Sequence, residues 1–184
     1  MRIRPFDFKA AVSLQDALIQ LDQSGPDAKV LAGGTDLVLN MKKKKILPST
    51  VISLHSIKNL EYVEEKNGMI HIGAMAKHAD LAINPILEKE VSILCQAVGL
   101  IGSWQVRNIG TIGGNLCNAS PAADSAPPLL ALDAEVIIAT LKGDKTIPIT
   151  SFFCGPAQTI MKSNEILKEI LIKKPVNPSA GCYL

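Results

Sequence analysis

Apolar residues recur along this chain with two different periods, and the switches between them outline its elements. Leu14, Ala17, Leu18 and Leu21 follow Ser13 at the 3.6-residue spacing of an amphipathic helix, with the serine as N-cap and Gly25-Pro26 as the stop. Lys29 to Ala32 reads as a short strand running into Gly33-Gly34, after which Thr35 to Met41 has helical character. Thr50 to Leu54 reads as a second, buried strand. Residues 1–57 therefore form a β-α-β-type unit with a mostly parallel sheet.

The pattern changes from residue 58 onward. Glu61 to Glu65 and Met69 to Ala74 flank Asn67-Gly68, a dipeptide suited to the positive φ angles of a tight hairpin turn. A helical pattern from Pro85 to Val98 places Ile86, Leu87, Val91, Leu94, Cys95 and Val98 on one side. A glycine-dense loop region follows, then a helix start near Asp124 or Ser125 with prolines in its first turn. Glu135 to Leu141 and Lys145 to Ile149 flank Lys142-Gly143-Asp144 as a second hairpin, and Glu165 to Ile172 is a last strand before Pro175. The unit 58–175 thus mixes hairpins with helices, an α+β arrangement, and residues 176–184 read as a linker toward a further element. No internal repeat relates the two units.

Composition sharpens this outline. With 184 residues, 47% apolar and only 4% aromatic, the chain is one compact domain or two small ones whose core is mainly aliphatic. Nineteen basic against 17 acidic side chains give a charge of +2, too little imbalance for a polyanion-neutralising surface, so no nucleic-acid partner is expected. Lys42 to Lys45 follow a helix, where cations complement the last carbonyls. No apolar stretch approaches the roughly 18 residues of a membrane span, and Met1-Arg2-Ile3-Arg4-Pro5 lacks a signal-peptide core. A cytoplasmic protein is expected. Cys95, Cys117, Cys154 and Cys182 lie too far apart for a zinc or iron-sulfur template and read as reduced thiols. His55, His71 and His78 read as surface or core residues. Neither a catalytic triad nor a metal-ligand cluster is visible, so no catalytic and no metal residues are assigned.

Two glycine-rich stretches carry the candidate chemistry. In Ala32-Gly33-Gly34-Thr35-Asp36-Leu37 consecutive amide N–H groups are free to converge on an anion, although a diglycine can equally be a tight turn closing a strand-helix connection. Gly110-Thr111-Ile112-Gly113-Gly114-Asn115, followed by Asn118-Ala119-Ser120-Pro121-Ala122-Ala123-Asp124, crowds backbone donors, hydroxyls and amides beside a carboxylate. The set suits a ligand bearing phosphate and sugar, with Thr111 toward phosphate and Asp124 toward hydroxyls; Asp124 can also be an N-cap. Neither G-x-G-x-x-G nor G-x-x-x-x-G-K-[ST] is present, which argues against a Rossmann site or a P-loop.

These stretches, with Val106-Arg107-Asn108-Ile109 before the second and Ser120-Pro121-Ala122-Ala123-Asp124 after it, closely resemble the FAD-binding medium subunit of molybdenum hydroxylases of the xanthine and carbon monoxide dehydrogenase family. The resemblance spans Phe6 to Leu184. It implies the PCMH-type FAD-binding fold, two α/β subdomains with the cofactor between them. It also implies that Leu31, Ala32, Gly33, Gly34, Thr35, Asp36 and Leu37 wrap the pyrophosphate, and that Thr111, Gly113, Gly114 and Asn115 meet phosphates and ribityl chain. Asp124 would hold cofactor hydroxyls, with Ile101 and Leu167 beside the flavin. The implied function is electron relay in a flavoprotein oxidoreductase: a molybdopterin large subunit and a 2Fe-2S small subunit feed the FAD, and NAD or another acceptor empties it. In the family a lysine follows a pair like Tyr183-Leu184, and then a C-terminal domain. Neither lies within these residues, so a fragment, a truncated product, or supply of that part by another polypeptide is expected. A nucleotide-binding or assembly module without redox activity is the alternative reading.

Overall fold

The structure, a computed structural model, describes residues 3–175 and 180–183. Its first unit is a three-stranded parallel sheet in the order β1-β3-β2, made by β1 (Asp7–Ala10), β2 (Lys29–Leu31) and β3 (Thr50–Ser53). The central β3 is buried along its whole length, as an uninterrupted run between two parallel neighbours requires. Helix α1 (Leu14–Ser24) crosses over between β1 and β2 and buries Ala17, Leu18 and Leu21. The N–H of Asp16 donates to Ser13 Oγ at 3.0 Å, capping α1 as the sequence suggests, and Gly25 at φ 75° ends it. Strand β1 escapes the sequence pattern because its side chains are mostly exposed; pairing with β3 creates it.

Helix α2 (Leu37–Lys42) is only six residues and begins beyond Asp36, so the diglycine leads into a turn before any helix forms. Lys42 to Lys45 are all exposed at its end.

The second unit centres on a five-stranded antiparallel sheet in the order β4-β5-β10-β6-β7. Strands β4 (Val63–Lys66) and β5 (Met69–Gly73) turn through Asn67 at φ 53° and Gly68 at φ 74°, the two left-handed positions the Asn-Gly dipeptide supplies. Strands β6 (Glu135–Thr140) and β7 (Gly143–Pro148) form the other hairpin, with Leu141-Lys142 as its turn and Gly143 already paired to Thr140. The last long strand, β10 (Ile166–Lys173), inserts between the hairpins and is irregular between Leu167 and Glu169.

Helices α3 (His78–Leu81), α4 (Pro85–Leu100), α5 (Trp104–Arg107), α6 (Ile112–Asn118) and α7 (Ala126–Ala131) accompany this sheet, and a small ribbon, β8 (Phe153–Gly155) with β9 (Gln158–Thr159), lies beyond β7 in the chain. The main core joins Ile70, Ile72, Val136 and Ile170 of the sheet to Leu94, Val98, Ile112 and Leu116 of the helices. A second core gathers Leu18, Leu21 and Ile52 of the first unit with Leu60, Met75, Ala139 and Ile166 of the second, so an apolar seam joins the two.

The expected loop at residues 110–115 is corrected here. Thr111 is an N-cap, and Gly113, Gly114 and Asn115 lie in the first turns of α6. Glycine disfavours a helix by about 1 kcal/mol each, but burial of Ile112 and Leu116 and the close approach of Gly113 to Ala74 outweigh that preference. The expected linker 176–184 lies partly outside the described residues. Of its remainder, Gly181 approaches Ile93 and the Tyr183 N–H donates to Gln96 Oε1 at 3.1 Å, so this stretch runs beside α4. Among the described residues, no helix is long and apolar enough to cross a membrane.

Candidate functional site

The end of β2 brings the first glycine loop against the second. A Cβ on Gly33 would stand 2.1 Å from the carbonyl oxygen of Ile109 and 2.9 Å from Gly110 Cα, so only glycine permits this approach. Gly34 follows at φ 80°. Among the described residues no hydrogen bond takes up the N–H of Gly33, Gly34, Thr35 or Asp36, while the carbonyls of Gly34 and Asp36 accept from Val38 and Asn40. A row of unclaimed donors therefore borders a cavity of about 630 Å³, within the range usual for cofactor sites.

The second loop is different. The N–H groups of Ile112 and Gly113 donate to Ala76 O at 3.0 Å and Ala74 O at 2.9 Å. Gly114 N–H donates to Thr111 Oγ1 at 3.1 Å, and Asn115 N–H to Thr111 O at 3.0 Å. These four amides are hydrogen-bonded within the fold, unlike those of the first loop. What remains for a ligand is in the side chains. The Thr111 hydroxyl keeps its proton, and Ser125 Oγ donates to Asn115 Oδ1 at 2.6 Å, which leaves the Asn115 NH₂ group free of that bond.

Asp124 does not cap a helix: Ser125 holds that position in α7 without a side-chain bond. Instead Asp124 Oδ1 accepts from the Tyr183 hydroxyl at 2.9 Å. That bond to a carboxylate raises the Tyr183 phenol above its ordinary range. Ile101 ends α4, and Arg107 Nη1 donates to the carbonyls of Ile101 at 3.0 Å and Gly102 at 3.1 Å, clamping the turn below the cavity. Leu167 is buried at the irregularity of β10.

Of the fourteen residues expected at the site, all but Leu31 line this one cavity. Leu31 instead sits behind it, its Cδ1 filling the space a Cβ on Gly34 would need. Sequence reasoning missed His78, Met75, Met161 and Glu165, which line it as well. Glu165 is buried, which would raise its carboxyl, but the Lys145 ammonium and the Lys162 N–H outweigh burial and lower it. His78 is 2% exposed, and burial, assisted by the charge of Arg107 and opposed by Asp124, pushes its imidazole down to about 4. Only a buried apolar neighbourhood around an isolated histidine could have hinted at that residue. Among the described residues no cluster of three or more metal-ligating side chains occurs.

Residues 4–175 match the family model described as the FAD binding domain in molybdopterin dehydrogenase. The chain is 33% identical to the nicotinate dehydrogenase FAD-subunit of Eubacterium barkeri over 98% of its own length and 62% of that protein. It is 35% identical to the carbon monoxide dehydrogenase medium chain of Hydrogenophaga pseudoflava over 91% of its length and 58% of the relative's. A solved structure of carbon monoxide dehydrogenase from Hydrogenophaga pseudoflava superposes with a TM-score of 0.93 over 96% of this chain and 61% of that one, at 34% identity. The chain thus spans about three fifths of the length of the relatives it matches.

Proposed function

This chain belongs to the family of FAD-binding domains of molybdopterin dehydrogenases, and from that premise we propose that it is the FAD-carrying, electron-transferring part of a molybdenum hydroxylase. The observation that carries the reading is the row of unclaimed amide donors at Gly33, Gly34, Thr35 and Asp36 on the wall of the shared cavity. FAD is an elongated dianion with its pyrophosphate near the middle, and such a row matches that group. The other walls suit the rest of it: hydroxyl and amide at Thr111 and Asn115, a carboxylate at Asp124, and aliphatic surface at Ile101 and Leu167.

When bound, FAD supplies the reversible redox chemistry. The chain's own residues bind and orient it. Backbone N–H groups of residues 33–36 would hold the pyrophosphate oxygens, and the Thr111 hydroxyl and Asn115 amide would donate to phosphate or ribityl oxygens. Among the described residues Asp124 accepts only through Oδ1, from Tyr183, so its second oxygen would accept from cofactor hydroxyls. Ile101, held by Arg107, and Leu167 would exclude water beside the flavin ring, which strengthens the polar contacts around them.

In the complete enzyme, electrons would come from the 2Fe-2S clusters of a small subunit, themselves supplied by a molybdopterin-binding large subunit, and leave to NAD or another acceptor. A cytoplasmic location belongs to the same reading. The seam between the two units, with residues 1–57 on one side and 58–175 on the other, would be where the cofactor lies. The test is purification of the protein with whatever subunits accompany it, followed by assay for flavin, molybdenum and iron. Bound FAD with molybdenum and iron supports the relay; a complex that takes up no FAD on reconstitution overturns it.

A further inference from the structure

The turn that closes α2 carries four consecutive lysines, Lys42 to Lys45, all exposed. Its backbone is held by three bonds, in which the N–H groups of Lys43, Lys44 and Lys45 donate to Leu39 O at 2.9 Å, Met41 O at 3.1 Å and Asn40 O at 2.9 Å. Lys44 takes a left-handed conformation, φ 58°, to make the turn. These amides already satisfy carbonyls at the end of the helix, so capping does not account for four ammonium groups. Among the described residues none of the four forms an ion pair.

The turn stands at the lip of the cavity. Leu39 and Asn40 before it and Ile46 after it line the cavity, whereas none of the four lysines does. Leu39 is 46% exposed, so the wall meets solvent here. The cavity itself is poorly disposed toward an approaching anion. Its charged lining residues include Lys29 against Asp36, Asp124 and Glu165. Lys145 offsets Glu165, but the two aspartates still outnumber the remaining cation. Without Lys42 to Lys45 the whole chain would also hold more acidic than basic side chains.

The free amides of residues 33–36 act only at hydrogen-bond range, so something else must bring an anion past that field. We propose that Lys42 to Lys45 form a steering element for cofactor loading, exposed cations at the lip that speed the entry of the FAD dianion without touching it once bound. The proposal rests on the FAD reading above. Fields of this kind raise association rates by about 10 to 10³ and lose their effect as salt screens them. Charges at the rim of a site act on the association rate and its salt dependence, while groups in contact set the dissociation rate. The lysines lie at the rim, so the effect belongs to association.

The test uses the complete protein with its partner subunits, emptied of FAD and mixed rapidly with it while flavin fluorescence is followed. Three forms are compared at low and high salt: unaltered, Lys42→Gln with Lys43→Gln, Lys44→Gln and Lys45→Gln combined, and the same four positions changed to Arg. At low salt the glutamine form should associate about tenfold more slowly, with a dissociation rate within about twofold of the unaltered protein, and the arginine form should match the unaltered protein. Near 1 M salt, where the screening length is about 3 Å, all three should converge. Equal association rates for the glutamine and unaltered forms at low salt overturn the proposal. So does a loss confined to the dissociation rate, which would make the lysines part of the bound site. An arginine form as slow as the glutamine form also overturns it, because charge would then not be the cause. If the glutamine form fails to fold, the salt dependence of the unaltered and arginine forms decides, and association independent of salt overturns the proposal. FAD that binds without steering sinks this proposal only, whereas no uptake by the unaltered protein sinks the FAD reading and this proposal with it.

Discussion

The hydroxyl of Tyr183 donates to Oδ1 of Asp124 at 2.9 Å, a bond between residues 59 positions apart. It fixes the carboxylate at the cavity wall with one oxygen committed. Hydrogen bonds to charged groups contribute about 1.5 to 3 kcal/mol, and here the bond also orients a candidate ligand for cofactor hydroxyls. Tyr183→Phe is therefore expected to weaken FAD binding about three- to tenfold without loss of fold, and Asp124→Ala to weaken it further. Equilibrium titration of both variants with FAD checks this; equal affinities for Tyr183→Phe and the unaltered protein would leave the bond without a role in binding.

Two glycines of the site should respond differently to the same substitution. At Gly33 a methyl group would collide with the backbone of Ile109 at 2.1 Å, a contact no side-chain motion relieves. Gly33→Ala is expected to force the two loops apart, costing about 3 kcal/mol or more of stability together with FAD binding. At Gly114 a Cβ meets only Thr111 Oγ1 at 3.0 Å and Ala32 Cβ at 3.8 Å. Gly114→Ala should keep most of the stability, because alanine favours the helix, while crowding the Thr111 hydroxyl and reducing FAD affinity. Urea unfolding and FAD titration of the two variants separate these outcomes.

Arg107 holds the turn that carries Ile101 through two carbonyls, those of Ile101 and Gly102. Both bonds come from the one nitrogen Nη1 at the far end of the guanidinium, a position the shorter lysine side chain with its tetrahedral ammonium does not reproduce. Arg107→Lys is expected to cost about 1 kcal/mol of stability and to loosen the apolar wall, seen as a changed flavin absorption or fluorescence spectrum in the loaded protein. A spectrum identical to that of the unaltered protein would show that Ile101 needs no such support.

His78 gives the empty protein a defined acid sensitivity. In the unfolded chain its imidazole takes a proton near 6.5, whereas in the folded protein it does so only near 4. The unfolded state therefore binds the proton first on acidification, so the contribution of this group to stability is full above pH 6.5, declines between 6.5 and 4, and changes no further below. The total is about 3 kcal/mol at most. His78→Leu should flatten that part of the profile, measurable as unfolding free energy against pH; an unchanged slope would mean another group titrates there.

The elements legible in the sequence are those whose cause is local. Ser13 and the spacing of Leu14 to Leu21 specify α1, and Asn67-Gly68 specifies its hairpin, because cap, period and turn act within a few residues. Helix α6 was hidden because its glycines argue against it locally, and burial of Ile112 and Leu116 decides for it. Strand β1 exists through pairing with β3. That the two motifs line one cavity agrees with their pattern in the sequence, but which of their amides are left free was not legible there. Which amides are free depends on Ala74 and Ala76, far back in the chain, and the reason for Gly33 is the carbonyl of Ile109. His78 and Tyr183 reach the site through tertiary contacts alone, and a single histidine or tyrosine carries no periodic signal.

Titration of the complete protein with FAD, followed by flavin fluorescence and repeated with Gly33→Ala, tests most directly whether the cavity between the two loops holds the cofactor. One FAD bound per chain, saturably, and lost in the variant that forces the loops apart is the expected result. FAD uptake unaffected by Gly33→Ala, or no uptake by the unaltered protein with its partner subunits present, would contradict it.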